Sequence, residues 1–146
     1  MIRIEQPTPA NYDEMIDVWE ASVRATHHFL HEEDIQYFKP LIKNEYFHLV
    51  QLRCAIDSNG AILGFIGIAD QKLEMLFVHP DAHGKGLGRQ LLSYAVNEME
   101  VLELDVNEQN EGAVGFYKHC GFEVTGRSAL DSMGKPFPIL HMKKGI

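Results

Sequence analysis

Apolar positions recur with two different periods along the 146-residue chain, and the points where the period changes mark out its elements. Ile2 and Ile4 flank Arg3 in strand-like alternation until Pro7 and Pro9 interrupt it, which predicts a short first strand. Met15, Val18, Trp19, Ser22 and Val23 then fall on one helical face. Asn11 stands ready as N-cap with Glu14 three residues on, so a helix is predicted to run to about Thr26. Beyond the histidine-rich stretch His27-His28-Phe29-Leu30-His31, a second amphipathic helix is expected from about Glu32 toward Val50, kinked or broken before Pro40.

From Leu52 the period shortens to that of strands. LRCAI and AILGFIGI flank the turn Asp57-Ser58-Asn59-Gly60, which predicts a hairpin, and Leu73 to Val78 makes a third run. A glycine-rich turn follows, then a helix whose core face is Leu87, Leu91, Leu92 and Ala95. Val101 to Val106 reads as a strand, Glu111 to Cys120 as a helix, and Phe122 to Thr125 and Pro138 to Met142 as two last strands. Strands and helices in this order predict an α/β mixed sheet covered by helices on both faces.

Length and composition (45% hydrophobic, 23% charged) suit one soluble globular domain, with no repeat or linker to divide it. Cys54 and Cys120 are far apart and belong to no CxxC pair, so neither a disulfide framework nor a zinc knuckle is indicated. A reducing compartment is expected. The N-terminus lacks a signal-peptide core and the longest apolar run, Ala61 to Ala69, falls short of a membrane span, which points to the cytoplasm. The net charge of -8, with no basic run, argues against nucleic acid or an anionic membrane as partner and is compatible with a cationic acceptor such as an amine.

The stretch that carries chemistry is the turn His83-Gly84-Lys85-Gly86-Leu87-Gly88. Glycines at alternate positions, just where a helix begins, leave backbone N–H groups open to close approach by an anion, the requirement of a phosphate cradle. A flexible surface loop would have the same composition, but this one is held between an apolar strand and a core-facing helix. It is not a P-loop, since Gly86 follows Lys85 where a hydroxyl residue is needed. Asp105 stands where the ribose-binding acid of a dinucleotide fold would be, yet the turn reads GxGxG and five residues, His79 to His83, separate it from its strand.

The run Leu76 to Gly88 and the run Asn110-Glu-Gly-Ala113-Val-Gly-Phe116-Tyr117-Lys-His-Cys-Gly121-Phe122 resemble, in order, two signatures of the GCN5-related N-acetyltransferases (GNAT): R/Q-x-x-G-x-G/A and N-x-x-A-x-x-F-Y-x-x-x-G-F. The predicted element order resembles that fold along essentially the whole chain. Arg24-Ala-Thr26-His27-His28-Phe29-Leu30, Val106-Asn107-Glu-Gln-Asn110, and Thr125-Gly126-Arg127-Ser128 with Gly134-Lys135-Pro136 are similar to the small bacterial YjaB-type members. One position departs: His83 stands where the family has Arg or Gln, which puts any side-chain contact from that position in question.

The resemblance implies about seven strands with a splayed central pair, and acetyl-coenzyme A as acetyl donor. It places the pyrophosphate on the N–H groups of Gly84 to Gly88, with His83 opening the motif, Leu87 inside it, and Lys85 and Arg89 as auxiliary cations. The exposed strand edge of Leu76, Phe77 and Val78 would take the pantetheine arm, with Asn107 and Asn110 on the same side. Tyr117 matches the family's general acid, with Phe116 expected buried and Tyr117 facing the thioester; an aromatic pair packed in the core would look the same in sequence.

An alkylammonium acceptor, with a pKa of about 10.4, must lose a proton before it attacks. Glu74, alternating with Leu73 and Met75, is the first candidate base, and a solvated strand residue is the equal alternative. His27 and His28 come second. His27 and His31 could share a helix face as metal ligands, but no third ligand accompanies them, so no metal is expected. Cys120 has no suitably placed base and Cys54 reads as core, which favours direct transfer in a ternary complex. Arg24, Thr26, His27, Phe29 and the loop Asp131 to Pro136 are expected to line the acceptor pocket. A small-molecule or peptidyl amine, and a monomer or homodimer, are equally compatible. The competing functions are a non-catalytic acyl-CoA sensor and, disfavoured by spacing, a dinucleotide-dependent oxidoreductase.

Overall fold

The structure is a computed structural model that describes residues 2–145. Its strands are β1 (Arg3–Glu5), β2 (Gln51–Ile56), β3 (Ile62–Ala69), β4 (Lys72–Val78), β5 (Glu103–Asn107), β6 (Phe122–Ser128) and β7 (Ile139–Lys144). Its helices are α1 (Tyr12–Thr26), α2 (Glu32–Asn44), α3 (Leu87–Glu98) and α4 (Glu111–His119). The strands form a seven-stranded sheet in the order β1-β2-β3-β4-β5-β7-β6. All pairings are antiparallel except β4 with β5.

Each face of the sheet carries its own core. One is built from Met15, Val18, Trp19 and Val23 of α1 and Ile35 and Ile42 of α2 over Cys54, Phe65 and Met75. The other joins Leu87, Leu91, Leu92 and Ala95 of α3 and Tyr117 of α4 to Ile66, Ile68, Leu104 and Met142. The predicted α3 face is the buried one, and α1 buries its predicted face together with Ile16.

Three local readings change. Asn11 does sit at the N-cap of α1, but its Oδ1 accepts the Thr8 N–H (2.9 Å) and so closes the preceding 3-10 turn. Glu14 likewise turns away and accepts the Ile62 N–H (2.8 Å), which pins α1 to β3. The second helix runs through Pro40 and stops at Asn44, because a separate turn at Tyr46–His48 brings Phe47 into the core against Phe65 and Tyr12. The strand expected from Val101 begins at Glu103; Val101 is buried ahead of it, and the Leu102 N–H donates to the Gln71 carbonyl (2.9 Å).

The most consequential departure lies in β4. Gly67 pairs with Met75 and Ile68 with Leu73, so Glu74 is an extra residue with no partner on β3, a β-bulge. The simple alternation of Leu73, Glu74 and Met75 is therefore broken. Leu73 belongs to the core beneath α3, whereas Met75, two residues on, belongs to the core beneath α1. On its other side β4 pairs with β5 at only two positions, Lys72↔Glu103 and Leu73↔Leu104. Beyond the bulge the two strands part, as the family resemblance implies, and the edge of β4 from Glu74 to Val78 is left open.

This geometry depends on close contact between β3 and β4. A Cβ at Gly64 would lie 2.8 Å from the Phe77 carbonyl oxygen and 3.2 Å from Leu91 Cδ1. Gly64→Ala should accordingly destabilise the fold by about 1–3 kcal/mol. Urea unfolding would register this as a lower midpoint at unchanged m, and an unshifted midpoint would contradict the packing described.

Candidate active site

Where β4 and β5 part, three neighbouring cavities share walls. The first, of about 430 Å³, is a groove between the open edge of β4, the N-terminus of α3 and one face of α4. The second, about 530 Å³, fills the fork itself between β4 and β5. Both are lined by His27, Leu76, Phe77, Asn110, Ala113 and Tyr117. The third, about 420 Å³, lies beneath α1 and α2 and shares Glu74, Met75, Phe77 and Ser132 with the second.

The direction of the backbone groups on the open edge follows from the ladder. The His79 N–H donates to Leu63 on β3 (2.8 Å). Since successive residues of a strand point their N–H groups to opposite sides, the N–H groups of Leu76 and Val78 are directed into the groove. The Val78 carbonyl, on the same side, accepts a hydrogen bond from His83 Nε2 (3.0 Å). The imidazole that replaces the family's Arg or Gln is thus turned back onto the strand, where it fixes the start of the glycine turn.

Within that turn Gly84 and Gly86 adopt φ of +77° and +76°, and a Cβ at either would meet no atom within 4 Å. The backbone is left-handed and the space in front of it is clear. Gly86 is the N-cap of α3 with no side chain to cap it, and the first helical bond runs from the Gln90 N–H to the Gly86 carbonyl. The N–H groups of Leu87, Gly88 and Arg89 are thereby left for an external acceptor, at the positive end of a 12-residue helix. Lys85 and Arg89 are exposed and, among the described residues, have no acidic partner. Open backbone, helix dipole and free cations together fit a pyrophosphate.

At the other end of the groove Tyr117 is only 6% exposed, while Phe116 beside it is partly open, the reverse of the expected division. The hydroxyl still reaches the cavity. It has no hydrogen-bond partner among the described residues, and no buried polar side-chain atom among them is left unpartnered, so the oxygen must meet the open space that Tyr117 lines. Burial raises the phenol's pKa well above its ordinary value, with Cys120 adding to the rise, so the group holds its proton.

His27 is pinned in a defined tautomer. Thr26 Oγ1 donates its one proton to the Ser22 carbonyl (2.8 Å), so at its 2.8 Å contact with His27 Nδ1 it must accept. Nδ1 therefore carries the proton, and Nε2 receives Asn110 Nδ2 at 3.4 Å. Asn110 is used twice, for its Oδ1 also accepts the Ala113 N–H (3.3 Å) and caps α4. Burial, with His28 close by, lowers the His27 pKa to about 4. His27 closes α1 while His31 opens α2, so the two do not share a helix face. No cluster of metal-ligating side chains occurs among the described residues.

The fork holds three carboxylates, and they are not equally free. Asp105 is doubly engaged, by Lys72 Nζ (2.6 Å) and by His141 Nδ1 (2.7 Å), and His141 Nε2 meets Ser128 Oγ at 2.7 Å. This row crosses β4, β5, β7 and β6 at the base of the fork and holds together the strands that share only two residue pairs. Asp131 Oδ1 accepts the N–H groups of Met133 and Lys135 (both 2.9 Å) and so shapes its own loop. Glu74, projecting from the bulge, has no hydrogen-bond or ion-pair partner among the described residues. Its pKa is raised, chiefly by desolvation in the cleft against the opposing field of Lys72, with Asp105, Asp70 and Glu103 adding to the rise.

The expected site residues therefore gather unevenly. Leu76, Phe77, Val78, His83, Gly84, Gly86, Leu87, Gly88, Arg89, Asn110, Tyr117, Thr26 and His27 line the first cavity. Asn107 lines the second and Glu74 the second and third. Lys85, Phe29 and Arg24 line none of the three. Phe29 instead packs on His27 and Phe137. Arg24 is held by Glu32 (2.8 and 2.9 Å) and Glu20 (2.9 Å), outside the cleft. The row from Lys72 to Ser128 has no signal in the sequence, because its members come from four separate runs of the chain.

Residues 17–144 match the family model described as an acetyltransferase (GNAT) domain. Over 97% of its length the chain is 38% identical to the peptidyl-lysine N-acetyltransferase YjaB of Escherichia coli, covering 96% of that protein. It is 28% identical, over 84% of each protein, to the peptidyl-lysine N-acetyltransferase YiaC of the same organism. The solution structure of apo YjaB superimposes with a TM-score of 0.90, covering 100% of this chain and 99% of that one at 37% identity. The fold recurs, at 22% identity and a TM-score of 0.77 over 99% of both chains, in the PaiA N-acetyltransferase of Thermoplasma acidophilum solved with coenzyme A. The chain belongs to the GNAT family of N-acetyltransferases. It is an enzyme that transfers the acetyl group of acetyl-CoA to an amine, which removes the oxidoreductase and sensor alternatives.

The burial of neutral His27 has a consequence in pH. Its pKa is about 4 in the fold against 6.5 when exposed, so between these values the unfolded chain binds more protons and stability falls as pH falls. Each tenfold difference in proton affinity is worth about 1.4 kcal/mol, so the loss amounts to a few kcal/mol at most. Urea unfolding from pH 7 to pH 4 should reveal this slope and His27→Gln should flatten it; an equal slope in the variant would contradict the assignment.

Proposed function

We propose that the acceptor is the ε-amine of a lysine side chain in a peptide or protein, and that it attacks directly in a ternary complex, without an acyl-enzyme. The observation that carries this reading is the arrangement around the fork: a carboxylate, Glu74, on a bulge at one side of the open β4 edge, and a protonated Tyr117 hydroxyl at the other, both without a hydrogen-bond partner among the described residues. The YjaB and YiaC relatives, which bear the name peptidyl-lysine N-acetyltransferase, support the choice of acceptor.

When bound, acetyl-CoA supplies an acetyl group already activated as a thioester. The chain's own groups then divide the work. The N–H groups of Gly84 to Arg89, the α3 dipole and the Lys85 and Arg89 cations would hold the pyrophosphate, while the Leu76 and Val78 edge would hold the pantetheine arm and place an N–H where oxyanion charge develops. Glu74 attracts the ammonium and takes its proton, directly or through water, as the nitrogen attacks. The acceptor amine titrates roughly six pH units above a carboxylate, so Glu74 works by orienting the ammonium as much as by basicity. His27 is the weaker candidate, since a pKa of about 4 and bonds to Thr26 and Asn110 leave it little basicity. Tyr117 donates to the departing sulfur. Cys54 takes no part, its thiol being buried and pushed up to about 12.

We place the enzyme in the cytoplasm and read it as one domain. Two free cysteines suit a reducing compartment, and no helix of the described residues is long and apolar enough to cross a membrane.

Tyr117→Phe should bind acetyl-CoA with unchanged affinity but lower kcat by about 10²–10⁴, whereas Glu74→Gln should raise KM for the lysyl acceptor as well as lower kcat. A free-thiol release assay on a lysine peptide, beside calorimetric titration with acetyl-CoA, checks both. A Tyr117→Phe enzyme of undiminished kcat would overturn the acid assignment.

A further inference from the structure

The third cavity has a chemistry of its own. Of its lining residues Glu74 alone is charged, and the rest of the wall is largely apolar, with Trp19, Ile42, Tyr46, Leu49 and Val50. Its volume, about 420 Å³, is that of a binding pocket rather than a packing defect. Met75 and Phe77 continue its wall into the fork, so an amine held by Glu74 would have this apolar chamber directly beside it.

Two features make the chamber a place for part of a substrate. Leu49 on its wall is 72% exposed, so the apolar surface reaches the outside. The 131–137 loop is strapped over the same side: Tyr46 Oη donates to Met133 Sδ (2.9 Å), Lys135 Nζ sits 4.1 Å from the centre of the Tyr37 ring, and Phe137 packs on Phe29 and Phe38. Charge narrows the occupant further. Glu74, Asp131 and a chain of net charge -8 attract an ammonium and repel an acidic neighbour.

Resting on the reading of a lysyl acceptor, we infer that this chamber is a specificity subsite that receives a bulky aliphatic or aromatic side chain adjacent to the acceptor lysine. The enzyme thereby selects lysines flanked by apolar residues over lysines flanked by glycine or acids. Complete burial of one such side chain favours the flanked substrate about ten- to hundredfold.

The test uses three peptides, each with one lysine flanked by phenylalanine, glycine or aspartate. The measured kcat/KM should be at least about tenfold higher for the phenylalanine peptide than for the glycine peptide, and lowest for the aspartate peptide. Ala69→Phe, which fills the chamber, should bring the phenylalanine and glycine peptides to within about twofold by lowering only the former. Trp19, the one tryptophan in the chain, lines the chamber and reports occupancy without turnover or mutation. Its fluorescence, with coenzyme A present, should respond to the phenylalanine peptide and not to the glycine peptide. Equal kcat/KM for these two, a preference that survives a folded Ala69→Phe variant, or a silent Trp19 would each overturn the subsite while leaving lysine acetylation intact. Absence of acetylation with every peptide would overturn the lysyl acceptor and the subsite together.

Discussion

The site depends on an interruption of backbone pairing. β4 pairs with β3 over its length but with β5 at only Lys72 and Leu73, and the parting begins at the one residue, Glu74, that has no partner on β3 either. A strand edge inside a sheet is ordinarily costly, since its N–H and C=O groups lose their partners. Here that loss is confined to a few residues and exposes the Leu76 and Val78 N–H groups to a groove. The Asp105 row from Lys72 to Ser128 ties the strands together just below, so that the fork can open above without the sheet coming apart.

The bulge does two things at once. It reverses the phase of β4, so that Leu73 packs under α3 while Met75 packs under α1, and it projects Glu74 into the cleft with no hydrogen-bond or ion-pair partner among the described residues. The same economy governs the glycine turn, where the absence of side chains at Gly84 and Gly86, with φ positive at both, leaves the end of α3 uncapped from within. Both are places where the chain withholds a partner from its own polar groups. Under the proposed mechanism the carboxylate, which has no partner among the described residues, receives the ammonium, and the open N–H groups receive the pyrophosphate of the donor whose acetyl group passes to the amine.

Much of this is legible in local sequence. Helical spacing locates the buried faces of α1 and α3, and the alternation of strands and helices yields the element order, because these follow from neighbours a few residues apart. The glycine turn is equally local. What stays hidden depends on register between distant segments: the bulge at Glu74, which looks in sequence like ordinary alternation, and the row from Asp105 to Ser128, drawn from separate strands. Arg24 shows the same limit from the other side. It is expected from sequence to line the acceptor pocket, but Glu20 and Glu32 hold its guanidinium outside the cleft. His83 is legible as a departure from the motif, though not its bond to the Val78 carbonyl.

The central claim, that the open β4 edge and the glycine turn together receive the acetyl donor, is tested most directly by amide hydrogen exchange with and without coenzyme A. The Phe77 amide, on the side paired with β3, should be protected in both states. The Leu76 and Val78 amides, together with those of Gly86 to Arg89, should exchange rapidly in the free protein and slow on binding. Protection that appears elsewhere while Leu76 and Val78 continue to exchange freely would contradict the account.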